Sequence, residues 1–417
     1  CDNSGLTTNS GSVTITMKNF TDCYCFSGAT SDADDEIFSV MLNGVTNVSD
    51  CNTVAPGTGS ILNRYSNFQT LGALTTVEME ATIPFSIQVD DCDLAPYYSF
   101  GTSIWIDFNH NGSFNDAGEH VFLENVALEG PRYVTGTITI PCTALTGLTG
   151  IRITEAEGLS GSLITPCLSY GFGETEDYLI NIVPKSAALV YNFGTSTPMD
   201  TASSGTPVNH LTVSSVTQGN NANINQTTLQ ITNTTPSNYS NASGQMYASI
   251  TARNRSLQAT DTSAYFQVTL TPATGYNVTL DSVKLGSWSS ANGPTKLDIR
   301  TSLDNYATSI GTATMQANSS WAYLTPSTTS LTSVAPLTVR LYGSVPGGSG
   351  SVTTGTTASN WYVDDIQLKV SVKCNSSCNL TATATNTAIT CNGGTSTLTV
   401  NPSNGIGLIN YQLNGGN

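Results

Sequence analysis

Charge is scarce in this sequence. Only 10% of its 417 residues are Asp, Glu, Lys or Arg, against roughly a quarter in an average soluble domain, so solubility has to come from the Thr, Ser, Asn and Gly that fill the gap. Basic residues are rarer still. Thirteen Lys and Arg face 29 Asp and Glu, a net charge of −16, and a surface of that sign repels phosphate backbones, which excludes nucleic acid as a partner. Histidine is limited to His110, His120 and His210. No HExxH, GxSxG, P-loop or dinucleotide-binding glycine pattern occurs, so zinc-hydrolase, serine-nucleophile and nucleotide chemistry have no motif to rest on, and the chain is expected not to be an enzyme. No apolar run reaches the ~18 residues of a membrane-spanning helix. Strong helix formers are also few, which makes helix a minor component.

Cysteine is absent from residues 168–373, while ten cysteines lie on either side: Cys1, Cys23, Cys25, Cys51, Cys92, Cys142, Cys167, Cys374, Cys378 and Cys391. Zinc is the alternative at Cys374, Cys378 and Cys391, but no fourth Cys or His completes a tetrahedral site there. Disulfides are the better reading and place the chain outside the cytoplasm. Cys23 and Cys25 are too close to bond each other without strain, so each is expected to reach a distant partner, and the pairing stays open. The chain starts at Cys1 without a basic-then-apolar leader, so a signal peptide is expected to have been removed or to lie upstream. Cys1 fits either a lipidated N-terminus or an ordinary disulfide.

What is abundant is short alternation. Val, Ile, Thr and Tyr recur in runs bounded by Gly, Asn, Asp and Pro, the pattern of strands joined by turns. Such runs cover residues 12–17, 37–42, 82–89, 103–108, 133–140, 150–154 and 178–183, then 264–271, 278–285, 296–301, 337–342 and 361–370. Because single cores stop growing at about 250–300 residues, the chain is expected to divide. The fold class is all-β, with tandem β-sandwiches over residues 1–184 and 185–373 and a truncated module over 374–417.

The most chemical stretch is Trp105-Ile106-Asp107-Phe108-Asn109-His110-Asn111-Gly112-Ser113-Phe114-Asn115-Asp116-Ala117-Gly118-Glu119. Oxygen side chains at the first, third and fifth positions and Gly at the sixth match an EF-hand-like loop that wraps a cation. Asp107, Asn109 and Asn111 are the side-chain ligands, Ser113 offers its carbonyl, and Glu119, or Asp116 in its place, closes the shell. Few formal charges face the ion, which suits the millimolar Ca2+ outside cells. The alternative is an Asn/Gly turn held by side-chain-to-backbone hydrogen bonds. His110 is expected to point to solvent.

That loop, followed by Tyr170-Gly171-Phe172-Gly173-Glu174-Thr175-Glu176-Asp177-Tyr178, resembles the GEVED domain, named for its closing Gly-Glu-Val-Glu-Asp motif. The likeness extends over residues 23–183 and includes Tyr24-Cys25 and Arg64-Tyr65-Ser66-Asn67-Phe68. Thr175 stands where the motif has Val, a β-branched exchange that keeps strand preference. The resemblance implies a β-sandwich accessory module in large secreted bacterial proteins that use type IX secretion. Glu174, Glu176 and Asp177 lack a nucleophile or base beside them, so they are read as structural, pairing with Arg152 or adding oxygen ligands to a cation.

Residues 185–373 resemble jelly-roll sandwiches found as carbohydrate-binding or adhesive modules, on Tyr265-Phe266-Gln267-Val268-Thr269-Leu270, Arg340-Leu341-Tyr342-Gly343 and Trp361-Tyr362-Val363-Asp364-Asp365-Ile366. The likeness makes Asp364 and Asp365 candidates for a structural Ca2+, with turn or edge roles as the alternative. Trp288 and Trp321, with Tyr306 and Tyr323, would stack on sugars or belong to the core. The tail, Cys378-Asn379-Leu380 through Asn414-Gly415-Gly416, resembles the start of an SprB-type repeat, with a small Ig-like spacer as the alternative. Asp200-Thr201-Ala202 and Asp281-Ser282-Val283 match an acceptor pattern for O-glycosylation in such bacteria, at Thr201 and Ser282. Together these features point to a non-enzymatic segment of an extracellular, cell-surface adhesin or filament. Surface glycans or further copies of the chain would be its partners, with the type IX machinery engaged during export. The second reading is an ancillary carbohydrate-binding region of a larger secreted enzyme.

Overall fold

The structure, a computed structural model, describes residues 21, 23–33, 35–92, 96–193, 208–219, 230–232, 237–242, 247–251, 265–290, 293–316, 320–344, 360–375, 381–386 and 398–403. No α-helix occurs among them, and strands joined by turns account for both compact units, Cys1–Val183 with Cys378–Asn417, and Pro184–Ser377. The all-β expectation of tandem sandwiches therefore holds. The run predicted at residues 12–17 lies outside the described residues, as do Cys1, Cys378, Cys391 and Thr201.

The first unit contributes β1 (Gly28–Ala29), β2 (Asp35–Leu42), β3 (Val45–Val48), β4 (Tyr65–Asn67), β5 (Ala73–Glu78), β6 (Thr82–Asp91), β7 (Ser99–Ile106), β8 (His120–Leu123), β9 (Leu128–Glu129), β10 (Arg132–Thr139), β11 (Gly147–Glu157), β12 (Ser169–Tyr170) and β13 (Thr175–Val183). One sheet runs β10-β6-β2-β3. The other runs β4-β13-β11-β7-β8, with β5 also on β13 and β9 on β7. Period-2 alternation decides what lies between them. Ile37, Val40, Ile87 and Val89 from the first sheet meet Ile104, Ile106, Ile151, Ile153, Ile180 and Ile182 from the second, all 2% exposed or less. Each such side chain contributes about 1.5–3 kcal/mol of transfer free energy.

The second sheet is buried on its outer face as well. There Trp105, Phe114, Ala156, Ile164 and Tyr170 form a smaller cluster with Ala29. The segment that begins at Cys23 lies over that face, and the Cys25–Cys167 disulfide pins it there. Seven of the eight residues of β7 are buried for this reason, so the strand shows no in-out alternation. A second disulfide, Cys51–Cys92, joins the stretch after β3 to the end of β6.

Pro184 alone separates β13 from the next strand. The second unit contains β14 (Lys185–Tyr191), β15 (Leu211–Val213), β16 (Thr217–Gln218), β17 (Gln230–Thr232), β18 (Tyr247–Thr251), β19 (Tyr265–Pro272), β20 (Tyr276–Ser289), β21 (Lys296–Thr301), β22 (Gly311–Thr314), β23 (Trp321–Leu324), β24 (Leu331–Ser333), β25 (Leu337–Ser344) and β26 (Asn360–Cys374). One sheet is ordered β17-β18-β26-β20-β23, with β14 on β26 and β24 on β20; the other is β15-β19-β25-β21-β22, with β16 on β19. Phe266, Leu270, Leu280, Leu285, Ile299 and Val370 lie among the fully buried residues between them. Cys374, expected to open a third module, is instead the last residue of β26, in register with Tyr276, and is disulfide-bonded. Unbroken pairing with β20 carries that strand four residues beyond its predicted end at 370. In the tail, β27 (Thr381–Asn386) and β28 (Leu398–Ser403) pair antiparallel with each other.

Candidate metal centre

The loop between β7 and β8 spans Asp107 to Glu119 and bends through three left-handed residues, His110 at φ 57°, Gly112 at 79° and Gly118 at 89°. Asp107 is fully buried at its base. Its carboxylate accepts the Tyr24 hydroxyl at 2.9 Å, the Gly112 N–H at 3.0 Å and the Asn111 N–H at 3.3 Å. Asn109 Oδ1 accepts the Asn111 N–H at 3.0 Å, and Asn111 Oδ1 accepts the Ser113 N–H at 2.9 Å. Both asparagine amides then donate to one oxygen of Asp116, at 3.0 and 2.6 Å. The chain thus links Asp107, Asn109, Asn111 and Asp116 in one hydrogen-bonded loop, and Tyr24, stacked 4.2 Å from Phe114, holds it from the overlying segment.

Glu119 completes the ring. It is 2% exposed; its Oε1 accepts the Phe108 N–H at 3.0 Å and its Oε2 has no hydrogen-bond partner. Burial, and then the nearby Asp107 and Asp116, push its pKa up to about 7. The hydrogen bonds from backbone N–H to asparagine oxygens are what a plain turn would also make. Three carboxylates near one another, one with an idle buried oxygen, are what such a turn would avoid, although among the described residues their oxygens do not all lie within 4.8 Å of one another. The oxygen-only donor set fits Ca2+ rather than a nitrogen- and sulfur-seeking metal. His110, expected in solvent, is half-buried, and burial lowers its pKa.

The acidic motif before and within β13 divides by strand alternation. Arg152 and Asp177 are register partners on β11 and β13 and lie on the outer face. There Arg152 donates to both Asp177 oxygens at 2.7 and 2.6 Å and to the carbonyls of Cys25, at 2.7 Å, and Pro166. Tyr65 adds its hydroxyl to Asp177 at 2.8 Å. The pairing expected for the motif is therefore made by Asp177 alone. Glu174 and Glu176 lie on the inner face with Tyr178 and Ile180, where Glu36 of β2 and Glu155 of β11 join them. Glu36, Glu155 and Thr102 go unnoticed in the sequence, although Ile151-Arg152-Ile153-Thr154-Glu155 carries a signal: a period of two puts Glu155 on the core face with the isoleucines.

Gly173, which opens the motif, has φ 112°, and a Cβ there would lie 2.5 Å from the Glu155 carbonyl oxygen. Thr175 does more than fill a β-branched slot. Its hydroxyl lies 2.8 Å from that of Tyr170 and 3.1 Å from those of Ser27 and Thr154.

In the second unit, Asp364 is fully buried and accepts the Ser237 hydroxyl at 2.6 Å, while Asp365, at φ 44° beside a bulge in β26, accepts the Tyr239 hydroxyl. Trp321 is 9% exposed, and Trp288, half-buried, stacks one ring face on Tyr362 at 4.5 Å. The open aromatic is Tyr323, which borders a cleft of about 290 Å³ with Tyr239, Asn241, Asp365 and Gln367. Ser282 is half-buried within β20.

The GEVED domain family matches residues 101–181, the stretch that holds both the loop and the acidic motif. No curated protein is significantly similar to the chain.

Proposed function

We propose that this chain is a non-catalytic segment of a secreted cell-surface adhesin or filament whose first sandwich is stiffened by Ca2+ and disulfides. The GEVED match and the disulfides fit a secreted, extracellular protein. Among the described residues no helix is long and apolar enough to cross a membrane. The observation that carries the calcium reading is Glu119: a buried carboxylate with one oxygen undonated, closing a loop that already gathers Asp107, Asn109, Asn111 and Asp116. Ca2+ would replace the two amide hydrogens on Asp116 and take the idle Glu119 oxygen, with the Ser113 carbonyl as a further ligand. Export by a type IX route and assembly into surface structures follow from the resemblance of residues 23–183 to modules of such proteins.

Calcium bound at about 100 times its Kd contributes ~2.7 kcal/mol, or roughly 5–10 °C in Tm for a unit of this size. Chelation with EDTA is expected to lower the first unit's Tm by at least that amount, and Asp107→Ala to reduce the response. Thermal stability unchanged by both would reduce the loop to a turn.

A second reading, the ancillary carbohydrate-binding region, is favoured by the cleft of the second unit, where Tyr239 and Tyr323 stack at 5.3 Å beside Asn241, Asp365 and Gln367. Aromatic faces next to amide and carboxylate groups suit a sugar ring. A glycan array comparing the native chain with Tyr323→Ala separates the two: glycan binding lost in the variant supports this reading, and no binding by either leaves the adhesin without a sugar site here.

A further inference from the structure

Between the two sheets of the first unit, at the end of the isoleucine core, four glutamates meet: Glu36 from β2, Glu155 from β11, Glu174 just before β13 and Glu176 within it. Their exposures are 1, 0, 4 and 0%. Glu155 and Glu176 receive a donor on one oxygen only, and Glu174 on both. Glu174 accepts the Ser66 hydroxyl at 2.6 Å and the Ile37 N–H at 3.2 Å. Glu155 Oε2 accepts the Glu174 N–H at 3.2 Å, and Glu176 Oε2 accepts the Tyr178 hydroxyl at 2.8 Å. Donors of this kind favour ionised carboxylates, but burial outweighs them and raises the pKa of all four. The remaining oxygens are left over: no donor reaches Glu155 Oε1, Glu176 Oε1 or either oxygen of Glu36, whose carboxyl stands against that of Glu174. Thr102, in register with Glu155 on β7, adds a buried hydroxyl that also has no partner.

Among the described residues no arginine neutralises this group. The arginine ion pairs of the unit join Arg132 to Glu124 and Arg152 to Asp177, and the second lies on the opposite face of the sheet. Burying even one unpaired carboxylate is costly, and four so close in the core have to be neutralised by protons or by a cation. We propose that Glu36, Glu155, Glu174 and Glu176, with the Thr102 hydroxyl, hold a divalent cation of calcium's size between the sheets, at a site separate from the 107–119 loop. The donors are all oxygen and enough to supply the six to eight ligands that Ca2+ takes. Among the described residues no three of these carboxylates have oxygens within 4.8 Å of one another, so a cation would have to draw them closer. The cation would tie the two sheets together where the apolar core ends. This inference does not depend on the loop reading.

The test is calcium stoichiometry on the full chain, stripped with EDTA and titrated with Ca2+ alone, read by calorimetry and by native mass spectrometry. The native chain is expected to take up a calcium that Asp107→Ala with Glu119→Gln leaves in place and that Glu36→Gln with Glu155→Gln removes. The glutamine pair is close to isosteric and relieves charge repulsion, so the calcium-free variant is expected to melt no lower than the calcium-free native chain. If the loop variant binds no calcium at all, or the glutamine pair binds as many as the native chain, the cage is not a cation site. A loop variant that binds as many as the native chain would instead sink the loop reading and leave the cage standing. If protons alone neutralise the cage, Tm falls as pH rises through 7 whether or not calcium is present, and the proposal is overturned. The loop variant makes that last distinction, because Glu119, itself pushed up to about 7 in the native chain, is absent from it.

Discussion

Arg152 shows how much one side chain organises here. It is 1% exposed, bonds Asp177 twice and reaches the carbonyls of Cys25 and Pro166, so it joins β11, β13 and the overlying segment. Removing one partner of a buried pair strands the other charge, and Arg152→Met is expected to destabilise the first unit by about 3–5 kcal/mol. Arg132→Met, at a pair whose side chains are 17% and 13% exposed, is expected to cost about 1 kcal/mol. Urea unfolding of the two variants checks the order, and equal losses would contradict it. Gly173 is constrained in a different way, by its φ of 112° and by the 2.5 Å approach of the Glu155 carbonyl. Gly173→Ala therefore combines backbone strain with a clash and is expected to cost about 2–5 kcal/mol. Gly171, where an added methyl group would meet nothing within 4 Å, is the control, and its alanine variant should stay within ~0.5 kcal/mol of the native chain.

Strand β13 carries two chemistries because its residues alternate between two buried faces. Glu176, Tyr178 and Ile180 point to the inter-sheet core, while Thr175 and Asp177 point to the outer cluster. Thr175 sits among three buried hydroxyls, so placing the motif's valine there is not neutral in this chain. Thr175→Val is expected to cost about 1–3 kcal/mol because the hydroxyls of Ser27, Thr154 and Tyr170 lose a shared partner. A variant as stable as the native chain in urea would show that those groups re-pair. The disulfides act on longer segments. Cys25–Cys167 closes a separation of 142 residues and Cys51–Cys92 one of 41, worth ~5 and ~4 kcal/mol by loop-closure entropy. Replacing the first pair by serines is expected to destabilise more than replacing the second, since it also frees the segment that covers the outer cluster.

At the scale of the whole chain, the two units should answer differently to chelation. The first gathers carboxylates without cations; in the second, Asp364 and Asp365 accept hydroxyls from Ser237 and Tyr239. Calorimetry with and without EDTA is expected to move one transition and leave the other in place. A second transition that falls by the same amount would revive Asp364 and Asp365 as calcium ligands. Native intact mass checks the acceptor reading of Ser282 and Thr201: a bare peptide mass removes it. Limited proteolysis with and without reductant, followed by mass mapping, locates where the disulfides matter, and cleavage within residues 23–167 is expected to appear first.

Composition and period-2 alternation were enough to give the all-β class, most long strands and the two acidic stretches, because strand pattern and turn chemistry are local. Asp107 to Glu119 was legible for the same reason: its ligand spacing lies within one loop. What tertiary structure alone decided is which acids share a space. Glu36 lies 119 residues before Glu155 in the chain, and only the packing of β2 against β11 and β13 brings them to one end of the core. The same packing parts neighbours: Glu176 and Asp177 are adjacent in sequence, yet the pleat sends one to a cage of carboxylates and the other to Arg152. Sequence spacing carries no information about a partner on the opposite sheet, and a strand buried on both faces erases the alternation that would have told the two faces apart.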